Sequence, residues 1–513
     1  MVKARTLFRN VWFGRAVAMI LLALFANYLH KVFTEFSMVY VDPDQLLMMY
    51  GTQEFLAGRF HMPRFFGQDY GSMLESFVAM PFTGWSLEVA LPIATTILLF
   101  LPYLLIIRNT GNSHRAISLV FVWLLVLPAE YLFIGTMPRD FLSGLAVTSI
   151  ALFFINGRSR YQLMLFGFFC IVGWSFNQNA ALFGATITIY SILASDQNRF
   201  DRFRWITIGY TIGLIGHLGM QAYMAANSQW IVHQSWPLQF RFDLIAKGIS
   251  NLDSYWGAIT PFAYRKSWIL AILYFIIIAF GKNKAVRYSA IGLIFLVVLS
   301  FGVPKVHDGY LSIFSPYERM FLGIPLSMFF LFIASKWHER IPVLLMLIIG
   351  VMFFNVRKNA VAERVLTQVE YGKEHILPYG KMDGVYARTA FLNDLVRQYQ
   401  VEVVLIGPQA FFADILVQKG SIGLDSNLII ISPGYDRKTW LLREVENRTF
   451  DRILWLQNEI SKDEIETSTG LKVTDLRLKG KGFKDEGYYF LLEGEKVNPL
   501  KVYEDCGFKV CNH

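Results

Sequence analysis

Long apolar runs separated by short polar stretches fill the first 356 residues of this 513-residue chain. Each run is roughly 15 to 23 residues long, close to the length of helix that crosses the apolar core of a bilayer. The pattern predicts about eleven membrane-spanning helices. We place them at about 11–30, 86–107, 116–135, 140–156, 161–176, 179–194, 205–227, 267–280, 288–303, 318–335 and 341–356. The composition agrees, since 54% of the residues are hydrophobic and 17% are charged.

Lysine and arginine recur in every second connection between these runs, and cytoplasmic loops carry an excess of both. They are Lys3, Arg5, Arg9 and Arg15, then Arg108 with Arg115, Arg158 with Arg160, Arg199 with Arg202 and Arg204, Lys282 with Lys284 and Arg287, and Lys336 with Arg340. We therefore expect an integral protein of the bacterial inner (plasma) membrane with a cytoplasmic N-terminus. Residues 31–85, 228–266, 304–317 and everything after 357 would lie outside.

The net charge of +9 is mostly explained by this orientation signal. We see no basic stripe interleaved with aromatic residues, so we expect the lipid bilayer as a partner and no nucleic acid.

After residue 356 the composition changes to that of a soluble domain. The β-branched runs VEVVLIG at 401–407 and NLIIIS at 427–432 predict strands, and FLNDLVRQYQ before the first of them predicts a helix. Residues 357–513 are therefore predicted to form a soluble, extracytoplasmic α/β domain. Near its end, Cys506 and Cys511 form either a disulfide or two free thiols, and the sequence leaves both open.

An acidic turn, VDPDQ at 41–45, follows the first apolar run. Asp42 suits the N-cap of a helix, Pro43 its first position, Asp44 its first turn and Gln45 the reciprocal position of a capping box. Alternatively, one of the two acids acts as a general base at the membrane surface. Capping alone would explain both acids, so the choice between capping and catalysis depends on other parts of the chain.

Two more outer segments carry polar residues. The segment FHMPRFFGQDYGSMLESFVAMPF at 60–82 contains Arg64, Asp69, Tyr70 and Glu75. Ser72 followed by Glu75 also fits a capping box. The segment IGTMPRDFLSG at 134–144 contains Arg139 and Asp140, which alternatively form a helix cap or an ion pair.

The first span, the acidic turn and FFGQDYGSMLESFVAMPF together resemble the first external loop of the GT-C superfamily of glycosyltransferases. These membrane enzymes use polyprenyl-phosphate-linked sugars and include protein O-mannosyltransferases and the lipid A aminoarabinose transferase. The resemblance implies a GT-C-like catalytic domain at 1–356, with external loops at 31–85 and 228–266. It also implies that Asp140 is a further functional acid. The chain departs from the family because a proline separates its two acids, and because IFSPYERMFLGIPL at 313–326 is a loose match to a late family motif.

The chemistry of such an enzyme needs a base for the acceptor hydroxyl and cations for the departing phosphate. Asp42 is the leading base, followed by Asp44 and Asp140, and direct displacement would invert the sugar anomer. The candidate substrate-binding residues are Arg64, Asp69, Tyr70, Glu75, Arg139, Arg241, Arg265, Lys305 and Arg319. For any single cation, snorkelling to lipid headgroups is the alternative. No cofactor is assigned, and a divalent metal stays open.

Two other classes remain. A flippase or other transporter of lipid-linked sugars would show buried charge or spans broken by glycine or proline. A non-catalytic envelope assembly protein would explain the soluble domain but not the acidic loop. The acceptor, whether glycan, lipid or protein, is left open by the sequence.

Overall fold

A computed structural model describes residues 11–68, 70–108, 110, 113–195, 198–227, 239–281, 283–309, 312–314, 316–374, 380–407, 428–434, 439–457, 459–476 and 488–510. These residues are mainly helical and include a small mixed sheet. Their contacts divide the chain into two units. The first unit comprises residues 1–39, 81–219 and 236–377, and the second comprises residues 40–80, 220–235 and 378–513.

The helices follow most of the predicted apolar runs. They are α1 Val11–Glu35, α2 Pro43–Leu56, α3 Leu74–Ala79, α4 Leu87–Ile107, α5 Ser113–Val126, α6 Ala129–Thr136, α7 Ser143–Ser149, α8 Arg160–Phe176, α9 Ala181–Leu193, α10 Arg199–Ala226, α11 Asp243–Ser250, α12 Leu252–Trp256, α13 Trp268–Phe280, α14 Lys284–Ser300, α15 Gly323–Ala334, α16 Val343–Glu374, α17 Met382–Tyr399, α18 Thr439–Glu446, α19 Lys462–Thr469 and α20 Pro499–Asp505. Short 3₁₀ helices lie at Met80–Phe82, Ile150–Phe154, Gln178–Ala180, Gly257–Ile259, Pro304–His307, Tyr317–Phe321 and Trp337–Glu339.

Among the described residues, three helical segments are long and apolar enough to cross a membrane: α1, α4 and Tyr317–Ala334. A fourth span is obtained if the bent pair α5 and α6 counts as one. The predicted number of about eleven spans is therefore not confirmed. One physical reason is that some of the predicted spans are interrupted or short. Helix α7 passes into a 3₁₀ helix, and α9 and α13 contain 13 residues each.

Several helices of the first unit nevertheless expose large apolar side chains. On α13 and α14 these are Trp268, Ile272, Phe275, Phe280, Tyr288, Ile291, Ile294 and Phe295. Exposed apolar surface of this kind is unfavourable in water and is stable against lipid or another apolar surface. The exposed faces thus agree with the three apolar segments in indicating a membrane environment.

A sharp bend divides the run that we predicted as one span at 116–135. The chain bends by 103° between α5 and α6, and Pro128, which has no backbone N–H to continue a helix, lies at the N-cap of α6. The carbonyl of Val126 at the end of α5 accepts hydrogen bonds from the Phe262 N–H at 2.7 Å and from Arg357 Nη2 at 3.2 Å. Distant parts of the chain therefore satisfy the carbonyl that the bend releases.

The second unit contains a five-stranded sheet and a two-stranded ladder. The strands are β1 Tyr40–Val41, β2 Gly380–Lys381, β3 Val403–Ile406, β4 Ile429–Ile431, β5 Phe450–Gln457, β6 Lys472–Asp475 and β7 Tyr488–Val497. The large sheet has the order β4-β3-β5-β7-β6, in which β3 is parallel to β4 and β5 while β7 is antiparallel to β5 and β6. The strands and helix predicted at 391–432 are confirmed by β3, β4 and α17.

Helices cover both faces of this sheet. Val404 and Ile406 pack with residues of α17, while Val403 and Leu405 pack on the other face with residues of α18, α19 and α20. Burial on both faces explains why the strand sequences are continuously apolar rather than alternating. The predicted domain boundary at 356/357 falls inside α16, and residues 40–80 group with 378–513.

Candidate functional site

Asp42 lies at the N-cap of α2, as the sequence predicts. Its Oδ1 accepts the Gln45 N–H at 3.0 Å, and Gln45 Oε1 accepts the Asp42 N–H at 3.1 Å. The capping box is therefore confirmed. A carboxylate has a second oxygen, so capping and catalysis are compatible. Asp42 is 3% exposed, whereas Asp44, in the first turn of α2, is half-buried.

Some of the other predicted site residues of the first loop are also buried. Arg64 and Glu75 are buried and Tyr70 is half-buried, while Asp69 lies outside the described residues. The predicted capping box from Ser72 to Glu75 is wrong. Helix α3 begins at Leu74, its N-cap Met73 makes no side-chain cap, and Ser72 Oγ instead accepts the Leu74 N–H at 3.3 Å.

Asp140 has an unusual backbone. Its φ is +66°, in the left-handed region that non-glycine residues seldom occupy, and it is 2% exposed. The helix-cap alternative for Asp140 is wrong, since α7 begins at Ser143 and has Leu142 at an N-cap without a side-chain hydrogen bond. The two candidate acids therefore differ in local role, because Asp42 caps a helix and Asp140 does not.

Two asparagine amides brace the turn that contains Asp140. Asn177 Nδ2 donates to the Asp140 carbonyl at 2.7 Å, and Asn179 Nδ2 donates to the Phe141 carbonyl at 2.5 Å. Both asparagines belong to the short turn between α8 and α9, where the 3₁₀ helix Gln178–Ala180 lies. Arg139, half-buried, places its guanidinium 5.4 Å from the Phe141 ring centroid. The turn is held by contacts distant in sequence.

Lys305 and Arg319 share one carboxylate. Lys305 Nζ lies 2.9 Å and Arg319 Nη2 lies 3.2 Å from Asp308 Oδ2, and Arg319 also donates to the Asp308 carbonyl at 2.6 Å. The side chains of the two cations are 14% and 17% exposed, and that of Asp308 is 38% exposed. Two cations therefore lie beside one half-exposed carboxylate, and a pair of cationic donors of this kind is suited to an anionic oxygen.

The other two predicted cations differ in setting. Arg241 forms an exposed ion pair with Asp243 at 2.7 Å, a type of pair that contributes little to stability. Arg265 has a left-handed φ of +54° and lies 4.9 Å from the Tyr264 ring centroid.

Glu130 and Glu318, which the sequence analysis missed, are both buried within the first unit. They line a cavity of about 10 Å³, the size of one water, with Tyr264, Ser312, Ala258, Ile134, Ile313 and Pro316. Glu318 Oε1 accepts the Ala258 N–H at 3.3 Å. Burial, followed by the charge of Glu130, raises the pKa of Tyr264 to about 12. The missed signal was an acid inside an apolar run.

In the second unit, Glu54 forms the centre of a charged cluster. Arg59 donates to both of its oxygens, at 2.6 and 2.7 Å, and His61 Nε2 lies 2.5 Å from Oε2. Burial alone would raise the pKa of Glu54, but the hydrogen bonds and charges of Arg59 and His61 outweigh burial and lower it to about 2.

This lowered pKa predicts a pH-dependent contribution to stability. A carboxyl group with a lowered pKa stabilises the fold above its ordinary pKa of 4.5 and loses this effect as the pH falls toward about 2. In thermal unfolding of the full chain, Glu54→Gln should be less stable than the parent protein at pH 5, and the difference should shrink toward pH 3. The exposed Glu504→Gln is the control, and a gap for Glu54→Gln that does not change with pH would contradict the prediction.

Among the described residues, no group of three or more His, Cys, Asp or Glu lies close enough to hold a metal ion. Cys506 is half-buried, and burial together with Asp505 raises the pKa of its thiol to about 11, whereas Cys511 lies outside the described residues.

Comparisons with protein-family models, curated proteins and solved structures found no match for this chain, so its function is inferred from the residues above.

Proposed function

We propose that the protein is a GT-C-type membrane glycosyltransferase. It moves a sugar from a polyprenyl-phosphate-linked donor to an acceptor hydroxyl on the extracytoplasmic side, with inversion of the anomer. The observation that carries the proposal is the conformation of Asp140. Asp140 is a buried acid that caps no helix and is held in a left-handed turn, and residues held in such sparsely populated conformations cluster at functional sites.

Asp140 is the leading general base in this proposal. It has no helix to cap, and the amides of Asn177 and Asn179 fix its turn. A carboxylate carried on this braced backbone can take the proton of the acceptor hydroxyl as the sugar is transferred. Asp42, with Asp44 beside it, is the second candidate, because the cap occupies one of its two oxygens.

Lys305 and Arg319 are the proposed phosphate-binding residues. As the bond between sugar and phosphate breaks, negative charge develops on the leaving phosphate, and two fixed cations stabilise that charge. Asp308 holds both cations in place, and its half-exposed side chain marks where the cluster meets solvent. The proposed roles in substrate binding that rest on the sequence alone are those of Arg64, Asp69, Tyr70, Glu75, Arg139, Arg241 and Arg265.

Donor turnover tests the proposal directly. The full-length protein, reconstituted in liposomes, would be incubated with a panel of synthetic polyprenyl-phosphate sugars that includes mannose, glucose and aminoarabinose. We expect release of free polyprenyl phosphate from at least one donor, measured by mass spectrometry. A panel in which every donor stays intact with both lipid and protein acceptors would contradict the proposal.

A second candidate is a transporter of lipid-linked sugars. It is favoured by the buried Glu130 and Glu318, by Pro92 and Pro102 inside α4, and by the bend between α5 and α6. The same liposomes distinguish the two functions. A transporter would move a fluorescent polyprenyl-phosphate sugar between leaflets with its glycosidic bond intact, whereas a transferase would cleave the bond.

A further inference from the structure

The C-terminal part of the second unit contacts the first loop directly before Asp42. Strand β2 pairs antiparallel with β1, so that Tyr40 faces Lys381 and Val41 faces Gly380. Lys381 Nζ also lies 5.9 Å from the Tyr40 ring centroid. Because Val41 precedes the N-cap of α2, this ladder fixes the backbone from which Asp42 projects.

A second contact joins the same two parts of the chain through Trp440 on α18. The Trp440 ring stacks on His61, with centroids 3.9 Å apart and planes inclined by 3°. Phe66 meets the indole edge-to-face at 5.1 Å, and Tyr50, on α2, lies parallel to it at 6.3 Å. Trp440 also packs against the core of the large sheet. One side chain therefore contacts both the sheet and the acidic loop.

His61 is itself held in place for this stack. An ionised carboxylate only accepts hydrogen bonds, so the contact of Glu54 Oε2 with His61 Nε2 requires a proton on Nε2. Arg59 fixes the same carboxylate through two hydrogen bonds. Glu54 lies on α2, nearly three turns beyond Asp44. The ion cluster thus orients the imidazole toward Trp440 and ties the stack to the helix that Asp42 caps.

We infer that Trp440 is a positioning residue through which the C-terminal sheet holds the acidic first loop in its functional conformation. In this arrangement the C-terminal domain orders the segment 40–68 of the same chain. The effect on catalysis rests on the proposed function, but the ordering of the loop can be measured independently.

Hydrogen–deuterium exchange of the full-length protein tests the ordering. Trp440→Ala and His61→Ala should each speed exchange in peptides from 43–56 by about tenfold or more, and Trp440→Phe should restore most of the protection. His61 is not part of the core of the large sheet. If Trp440→Ala also speeds exchange in residues 450–457, the exchange of 43–56 in His61→Ala decides whether the stack orders the loop. Trp268→Ala, at a 59% exposed tryptophan of the first unit, is the matched control.

Catalysis gives the second measurement. With a donor that the parent protein turns over, Trp440→Ala and His61→Ala should lower kcat about tenfold or more with little change in KM, and Trp440→Phe should recover most of kcat. Unchanged exchange at 43–56 in both alanine variants would overturn the inference. If the parent protein turns over no donor, the proposed enzyme activity is rejected. Hydrogen–deuterium exchange at 43–56 then still tests whether Trp440 orders the loop.

Discussion

Replacing Asp140 with asparagine is expected to abolish sugar transfer while leaving the fold intact. A general base contributes about 10²- to 10⁴-fold to a rate, so kcat should fall by that factor. Asparagine is among the few residues that tolerate a left-handed backbone, and the φ of +66° is therefore retained in the variant. The loss would report the missing carboxylate rather than a distorted turn. Release of polyprenyl phosphate from the donor measures it.

Two further asparagine variants make this test specific. Asp201→Asn changes an exposed acid of the first unit in the same way and should transfer at the parent rate. Asp42→Asn preserves the α2 cap, because asparagine is as good an N-cap as aspartate, so any loss of activity there would be chemical. Parent-level transfer by Asp140→Asn would exclude Asp140 as the base and remove the observation that carries the proposed function.

A second large effect is expected at Arg202, where alanine should destabilise the first unit by about 3 kcal/mol. Arg202 is 3% exposed, and its guanidinium donates to the Gly157 carbonyl at 2.8 Å, to the Ile155 carbonyl and to Ser191 Oγ. Removing it takes a charged donor from three buried acceptors. The Ile155 carbonyl keeps the Ser191 hydroxyl at 3.2 Å, whereas the Gly157 carbonyl and Ser191 Oγ lose this donor at a desolvation cost. Thermal unfolding in detergent should show a midpoint lower by about 5 °C or more.

Arg204 provides the matched control on the same helix. It is exposed and lies near its neighbour Trp205, 5.3 Å from the ring centroid, so Arg204→Ala should shift the midpoint by about 1 °C or less. Arg202→Lys retains the charge but not the planar fork that reaches several acceptors, and it should fall between the two alanine variants. Equal midpoints for Arg202→Ala and Arg204→Ala would show that the network contributes nothing.

Local sequence signals were sufficient for parts of the fold. The runs VEVVLIG and NLIIIS formed strands because each is continuously apolar, β-branched and bounded by turn residues. The number of spans was not predictable in this way. Periodicity shows that 116–135 is apolar and helical, but the bend at Pro128 depends on donors from residues 262 and 357, which no local window contains.

The site shows the same division between local and distant contacts. The cap at Asp42 was visible because all its residues lie within 42–45. Asp140 suggested a cap as well, yet its turn is set by Asn177 and Asn179, 37 and 38 residues away from the carbonyls that they bind. Arg202 was interpreted as one of the basic loop residues that indicate membrane orientation, whereas the structure buries its side chain. Glu130 lies within an apolar run, where an acid indicates a functional site, but it was not among the predicted site residues.

The bend at Val126 constrains the order in which the chain assembles. A backbone carbonyl without a donor is costly in lipid, and one of the donors to Val126 lies 231 residues further along the chain. The closer donor, the Phe262 N–H, is itself synthesised well after Val126, and Arg357 follows later still. Until Phe262 emerges, water, the insertion machinery or an unbent helix has to satisfy this carbonyl, so the mature angle forms only after the bend itself has been synthesised.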